Sequence, residues 1–318
     1  MKNIIMKYLI FLLSSLTLMA QQDADQHITQ SMFNRMAINP ASTGVNDVIS
    51  AGMFYRNQWL ARIPGSPVYQ LAHFQMPTND KKMAFGGILT NDAIGFENRM
   101  SVAANGAYHI RSHSSVYSFG LQAGVKYYNM DRSKVDAKEQ NDAVLFGPER
   151  TPLLPDFAFG FNYTHKNFFG GFSITHLNQT RIKYSGNSTI DSRLRRHYYV
   201  NLGYNYALDP YFTLKPSVLV RALPKAPVQA DFAVLLDYNG GLWGGFNVRS
   251  GDALGFIVGV QLNKLNIHVD QAMRIGYAFD HTVSRMPRYN AGGSHEIMLQ
   301  YDFRKKVKVH SPKFMKLE

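Results

Sequence analysis

The chain has 318 residues, a formal net charge of +12 at pH 7 and no cysteine. Without cysteine, a disulfide scaffold, a zinc–cysteine site and a lipoprotein anchor on an N-terminal cysteine are excluded. In an exported chain, the basic surplus favours contact with anionic lipid headgroups or an acidic partner over contact with nucleic acid.

A cleaved signal peptide is predicted over residues 1–20. Lys2 and Lys7 come before the apolar run from Tyr8 to Leu13, and the small residue Ala20 ends the segment. A short apolar run behind basic residues is typical of an export signal and not of a membrane span. No later window reaches the roughly 18 to 20 unbroken apolar residues that a membrane-spanning helix needs. A membrane location would therefore require strands.

Residues 21–47 form an N-terminal segment ahead of the strands, predicted to be periplasmic or to plug a barrel. The stretch from His27 to Met36 is compatible with a helix that places Ile28, Met32 and Met36 on one face. Three placements stay open: in a barrel lumen from the periplasmic side, against a partner, or as a flexible leader.

Alternation of apolar with small or polar residues predicts about fourteen β-strands in the rest of the chain. The clearest run extends from Tyr117 to Tyr127, where Phe119, Leu121 and Val125 alternate with serine, glycine, glutamine and lysine. A period of two places each set on one face of a sheet. The predicted strands are 48–59, 68–76, 83–93, 98–110, 115–128, 156–165, 168–177, 194–207, 211–221, 228–238, 242–249, 253–262, 265–279 and 294–304.

The predicted connections differ in length between the two ends of the strands. Short turns rich in Asn, Asp, Gly and Pro follow the even-numbered strands, at 77–82, 111–114, 166–167, 208–210, 239–241 and 263–264. Long connections follow odd-numbered strands, at 129–155, 178–193 and 280–293. Short periplasmic turns, long extracellular loops and an even strand number are typical of an outer-membrane β-barrel with both mature termini in the periplasm.

The alternative fold is a soluble exported β-sandwich, whose strands also alternate. Strands of about ten residues suit a tilted bilayer crossing better than a sandwich. The polar faces are rich in small residues, as in a crowded lumen. Aromatic residues gather near strand ends, as in an interfacial girdle, at Tyr127, Tyr163, Tyr206, Tyr301 and Phe303. We therefore predict an all-β transmembrane barrel over 48–304, followed by a basic periplasmic tail over 305–318.

Motifs near the two ends of the chain resemble one bacterial family. Positions 39–44 read NPASTG and positions 56–59 read RNQW, while positions 293–297 read GSHEI. Positions 91–95 add an Asn-Asp-x-x-Gly turn. Together these elements resemble the PorP/SprF family of Bacteroidetes outer-membrane proteins, over essentially the whole mature chain. Ser42-Thr43 stands where that family more often has Tyr-Ala.

The resemblance implies a fourteen-stranded barrel similar to fatty-acid transporters, with no cofactor, that serves the type IX secretion system. It implies one of two roles. A core component is tied at its periplasmic face to the lipoprotein ring beneath the translocon. A dedicated partner holds one exported cargo at the cell surface, such as a large gliding adhesin with a type B sorting domain. The residues themselves do not decide between these roles.

A luminal hydrogen-bond network or partner contact is predicted for the residues of the terminal motifs, which are Asn39, Pro40, Arg56, Gln58, Trp59, Ser294, His295 and Glu296. Alternation places Arg56 and Gln58 on one face of the first strand and Trp59 on the other. His295-Glu296 opens the zinc-protease pattern, but that pattern needs a second histidine where Leu299 stands. No catalytic, cofactor or metal site is predicted, and the chain is predicted not to be an enzyme.

Basic residues gather at two further places. The tail is predicted to dock on an acidic periplasmic partner, with headgroup contact or a solvated end as the alternative, through Arg304, Lys305, Lys306 and Lys308. A second cluster lies around the fourth outer loop. It is predicted to contact lipopolysaccharide phosphates, because arginine pairs with phosphate bidentately, through Arg181, Lys183, Arg193, Arg195 and Arg196.

We predict a non-enzymatic binding barrel of the type IX secretion system in the outer membrane. Its predicted partners are a periplasmic ring lipoprotein, a secreted cargo or surface adhesin, and outer-membrane lipid including lipopolysaccharide. The competing prediction is a channel or transporter for small hydrophobic molecules, although the lumen face shows no obvious ring of acids that would serve as an ion filter. A transporter would move a substrate in liposomes, whereas a secretion partner would copurify with other proteins.

Overall fold

The structure is a computed structural model that describes residues 27–59, 65–131, 151–182, 192–265, 272–283 and 293–303. The predicted signal peptide and the predicted C-terminal tail lie outside these ranges. No helix in the described part of the chain is long and apolar enough to cross a membrane.

Fourteen antiparallel strands form a closed barrel in the described ranges. They are β1 (Ile49–Asn57), β2 (Val68–Pro77), β3 (Met83–Ile94), β4 (Glu97–Arg111), β5 (Ser115–Met130), β6 (Leu154–His165), β7 (Phe168–Thr175), β8 (His197–Tyr204), β9 (Phe212–Ala222), β10 (Gln229–Tyr238), β11 (Leu242–Arg249), β12 (Ala253–Gln261), β13 (Ala272–Thr282) and β14 (Ser294–Phe303). Each strand pairs with its neighbours in the chain, and β14 pairs with β1, so that the sheet closes on itself. The predicted fourteen-stranded antiparallel barrel is confirmed.

The two faces of the barrel have opposite chemistry. Large apolar side chains point outward and are exposed, as in Met53 (62 %), Leu121 (65 %) and Phe246 (62 %). The inward face buries polar side chains such as Asn105 and Asn162. This distribution is the reverse of that in a soluble protein, and it suits a barrel that lipid surrounds.

The long and short connections lie at opposite ends of the barrel. Four of the short turns occupy residues 78–82, 112–114, 166–167 and 239–241. The opposite end carries the long connections after β5, β7 and β13. In an outer-membrane barrel the short turns face the periplasm. We therefore call the two ends the periplasmic end and the outer end.

The predicted turn at 263–264 is present as the 3-10 turn Leu262–Lys264. The strand predicted from 265 is wrong at Leu265, which continues this turn, and the described part of β13 begins at Ala272. The local hydrogen bonds explain the difference, because Leu265 N donates to Leu262 O and the side chain of Gln261 donates to that of Asn263. Such local bonds compete with the strand ladder.

The predicted first strand is also too long at its outer end. β1 ends at Asn57, after which Gln58 N donates to Pro67 O and Trp59 adopts a positive φ of 58°. A left-handed residue interrupts the alternation of faces. The predicted opposite placement of Gln58 and Trp59 across a continuing strand therefore does not apply.

Candidate functional site: a luminal segment held by buried ions

The residues before β1 cross the lumen of the barrel from one end to the other. The side chain of His27 lies 2.8 Å from Nη1 of Arg221, near the outer end of β9. Asp47 pairs with Arg111 at the periplasmic end of β4, at 2.5 Å. We call residues 27–47 the luminal segment. The first described residue of the chain therefore lies at the outer end, whereas the predicted periplasmic position of both mature termini concerns residues outside the described ranges.

The luminal segment forms short 3-10 turns and not the helix with which the sequence from His27 to Met36 is compatible. The turns are Ser31–Phe33, Arg35–Ala37 and Pro40–Ser42. Isolated short helices gain little stability from their own hydrogen bonds. The barrel wall therefore determines the conformation of this segment through contacts on all sides.

Apolar residues of the luminal segment pack on one part of the wall. Ile28 and Met36 are buried in one cluster with Phe54, Leu71 and Ile88 of β1 to β3, among others. The same cluster includes Trp243 of β11, and the ring of Phe33 lies 5.1 Å from the ring of Trp243. These contacts fix the segment laterally.

A buried ionic cluster holds the outer part of the luminal segment. Arg56 of β1 donates through Nη2 to Asp280 Oδ2 at 2.7 Å and through Nη1 to Glu296 Oε2 at 3.2 Å. The two oxygens of Glu296 accept the backbone N–H groups of Thr29 and Gln30, each at 2.8 Å. Arg56 is 2 % exposed and Glu296 is fully buried. Removing one member would leave a buried charge without its partner, which is costly.

A second buried arginine joins the same cluster. Arg249 of β11 donates through Nε to Asp231 Oδ1 at 3.0 Å and through Nη2 to Thr29 Oγ1 at 3.3 Å. Its Nη1 lies 3.6 Å from Asp280 Oδ2. The hydroxyl of Thr29 in turn donates to Asp280 at 2.6 Å and accepts from Arg56 at 2.9 Å. One threonine of the luminal segment therefore connects β1, β11 and β13.

The Asn-Pro-Ala motif docks on glycines of β5 to β7 in the inner half of the lumen. Asn39 caps the turn by accepting from Ala41 N at 3.0 Å, and it donates to Phe161 O at 2.9 Å. A Cβ atom at Gly120 or Gly160 would collide with this turn. Small residues on the polar face thus leave the room that the luminal segment occupies.

The predicted residues of the terminal motifs fall into two groups. Asn39, Pro40, Arg56, Ser294 and Glu296 are buried in the interior. The other three are partly exposed: His295 contacts the hydroxyl of Tyr277 at 2.6 Å, and Gln58 and Trp59 follow the end of β1.

A cavity of about 150 Å³ extends from the outer mouth of the barrel along one side of the luminal segment as far as Ile38. Its lining mixes acids and bases from several strand ends, among them Asp92, Arg99, Lys126, Asp156, His176, Arg193, Arg195 and Arg221. Of the predicted lipopolysaccharide contacts, Arg193 and Arg195 line this cavity, Arg181 is exposed, and Arg196 donates to Leu177 O at 3.0 Å. Lys183 and the tail residues Arg304, Lys305, Lys306 and Lys308 lie outside the described ranges.

Sequence reasoning missed Thr29, Arg249 and Asp280. Each lies apart from the motifs in the sequence, and only closure of the barrel brings them together. A signal existed for two of them, because Arg249 and Asp280 are charged residues near the outer ends of β11 and β13 at inward positions of the alternation. Charged residues at inward positions of such a strand need partners in the lumen.

One protein-family model matches most of the chain. The model of the family described as type IX secretion system membrane protein PorP/SprF matches residues 19–301. The chain belongs to this family. It is accordingly an outer-membrane barrel of the type IX secretion system, in agreement with the resemblance of its terminal motifs.

Several solved structures of outer-membrane proteins are similar to this PorP/SprF barrel at low sequence identity. The toluene transporter TbuX of Ralstonia pickettii is 10% identical, with 88% of this chain and 94% of that chain covered and a TM-score of 0.48. A FadL homologue of Pseudomonas aeruginosa is 11% identical, with 90% and 96% covered and a TM-score of 0.45. The outer membrane protein Omp33 of Acinetobacter baumannii is 9% identical, with 81% and 98% covered and a TM-score of 0.46. No curated protein sequence matches the chain.

Proposed function

We propose that this PorP/SprF barrel is a non-enzymatic binding component of the type IX secretion system. It links to periplasmic ring lipoproteins at one end, or anchors a secreted cargo such as a surface adhesin at the other, or does both. The observation that carries the proposal is the luminal segment, which occupies the lumen and is hydrogen-bonded through Thr29 and Gln30 to a buried ionic cluster of the wall. A barrel filled in this way is suited to binding at its two ends and not to passage through its centre.

The outer end supports the cargo role. Its cavity is lined by charged side chains from β3 to β9 and from the loop after β7. Charged groups on a rigid barrel rim favour recognition of a complementary partner. Arg195 is an exposed residue of this rim. The same arginines support contact with lipopolysaccharide phosphates beside the cargo.

The periplasmic end supports the ring role through its basic residues. Lys81 and Arg111 pair with Asp47 there, where the luminal segment enters β1. The basic tail begins at Arg304, directly after the last residue of β14, and β14 ends at the periplasmic end of the barrel. An acidic patch on a ring lipoprotein would complement this end.

Gentle solubilisation of the native outer membrane, followed by affinity capture, tests the proposal. The tag belongs within positions 132–150, between β5 and β6, where it leaves the strands intact. Recovery of periplasmic ring lipoproteins would support the core role, and recovery of one large surface protein would support the cargo role. Recovery of neither would contradict both and favour the transporter.

Charge reversal at each end separates the two roles. Lys305→Glu with Lys306→Glu changes only the tail, and Arg195→Glu changes only the outer rim. We expect the tail variant to lose ring lipoproteins while keeping the cargo, and the rim variant to do the reverse. Equal loss of both partners from both variants would show that neither end acts as proposed.

A further inference from the structure

Arg35 of the luminal segment is a half-buried cation without an anionic partner among the described residues. Its guanidinium carbon lies 4.2 Å from the centre of the Phe169 ring of β7. Its Nη1 atom is shielded from solvent and has no hydrogen-bond partner. An arginine side chain stays charged at neutral pH. Among the buried arginines of the lumen, Arg56 and Arg249 are each paired with carboxylates, and Arg221 lies beside His27.

A small cavity of about 30 Å³ adjoins this cation, between the luminal segment and the wall formed by β7 to β11. Asn201 of β8 lines it, is 7 % exposed, and has no partner for either atom of its side-chain amide. The side chain of Ser217 lines the same cavity, and Asn247 does so with an unpartnered Oδ1. Asp231 also lines it, but Oδ1 of that carboxylate accepts from Arg249 at 3.0 Å.

Three observations thus meet at one place: a cation without an anionic partner and with a shielded nitrogen, the unpartnered amide N–H₂ of Asn201, and an unfilled volume. Shielding a charged group from water without a partner is unfavourable, and buried polar groups are rarely left without hydrogen bonds. The volume exceeds the ~10 to 15 Å³ that a single water needs. A guanidinium, an amide N–H₂ and a hydroxyl are all donors, which is the set that an anion requires.

We propose that this cavity is a binding site for one small monovalent anion of chloride size, held by Arg35 and Asn201. The anion compensates the charge of Arg35 and joins the luminal segment to β8. It would thereby hold the side of the segment that lies away from the cluster of Arg56 and Glu296. The site is independent of which secretion partner the barrel binds.

Anion titration of the full-length protein in detergent tests the site. Thermal unfolding is followed by tryptophan fluorescence while sodium bromide or chloride replaces sodium gluconate at constant ionic strength. Because a ligand that binds only the folded state stabilises it, we expect a saturable rise of the unfolding temperature in the wild type and in the control Arg111→Gln. Arg35→Gln should abolish the rise, and Asn201→Ala should weaken the apparent affinity about tenfold.

Anomalous diffraction from crystals grown in bromide gives the second readout and keeps the proposal testable if Arg35→Gln does not fold. A bromide peak beside Arg35 and Asn201 is the expected result. Water alone in the cavity would overturn the proposal. The same unfolding temperature in gluconate and in bromide would also overturn the proposal. So would a rise that Asn201→Ala leaves unchanged.

Discussion

Replacing Arg56 by glutamine should release the outer part of the luminal segment. The substitution removes three hydrogen bonds from the guanidinium, to Thr29, Asp280 and Glu296. Glu296 then keeps only the two backbone N–H donors, and Asp280 keeps Arg249 at 3.6 Å. Breaking a buried ion pair by removing one partner costs about 3 to 5 kcal/mol. We expect Arg56→Gln to lower the free energy of unfolding by about that amount.

Urea unfolding in detergent micelles measures this loss, with tryptophan fluorescence as the probe. Trp243 is a local reporter because it contacts Phe33 of the luminal segment. Arg111→Gln is the matched control, since it removes an arginine of the same type from the exposed pair with Asp47. Exposed pairs contribute about 0 to 1 kcal/mol.

Comparing Arg56→Gln with Arg111→Gln, and with one double variant, shows whether the buried ionic cluster holds the luminal segment. Adding Asp280→Asn to Arg56→Gln should recover part of the lost stability, because it removes a carboxylate that the first change left poorly compensated. A loss below about 1 kcal/mol for Arg56→Gln, or a loss equal to that of Arg111→Gln, would refute the reasoning.

Three further outcomes are expected. Gly160→Ala pushes a methyl group into Asn39 and should lower the unfolding temperature, whereas Gly106→Ala has open space and should leave it unchanged; equal values for the two would contradict the docking. Asn39→Ala should cost about 1 to 2 kcal/mol in the urea assay through the lost turn cap, and no measurable loss would show that the cap is dispensable. With no native cysteine, an impermeant maleimide should label Leu153→Cys on intact cells and Asn167→Cys only after the outer membrane is permeabilised; the reverse pattern would invert the orientation.

The strands were predictable because membrane barrels repeat one simple rule along the chain. From Tyr117 to Tyr127 every second residue faces lipid, and the apolar set shows this directly in the sequence. The closing pair of β1 with β14 followed from the even strand number. Alternation failed where the chain makes its own hydrogen bonds, as at Leu265 and after Asn57.

The candidate site was predictable only in part. The motif residues Arg56 and Glu296 were singled out, and they face each other across β1 and β14. Their partner Thr29 had no signal, because a threonine in a polar segment is ordinary and its role depends on the path through the lumen. The many glycines on the polar face predicted a crowded lumen. The sequence did not predict that Asn39 of the luminal segment packs against them.

Conductance of the purified wild-type protein in a planar bilayer shows whether the luminal segment closes the barrel. The luminal segment runs from His27 at the outer end to Asp47 at the periplasmic end and is tied to the wall along its length. We therefore predict no stable conductance from the wild-type barrel under conditions in which an open porin conducts. A steady ohmic conductance from the wild type would contradict a filled lumen and support a role as a channel.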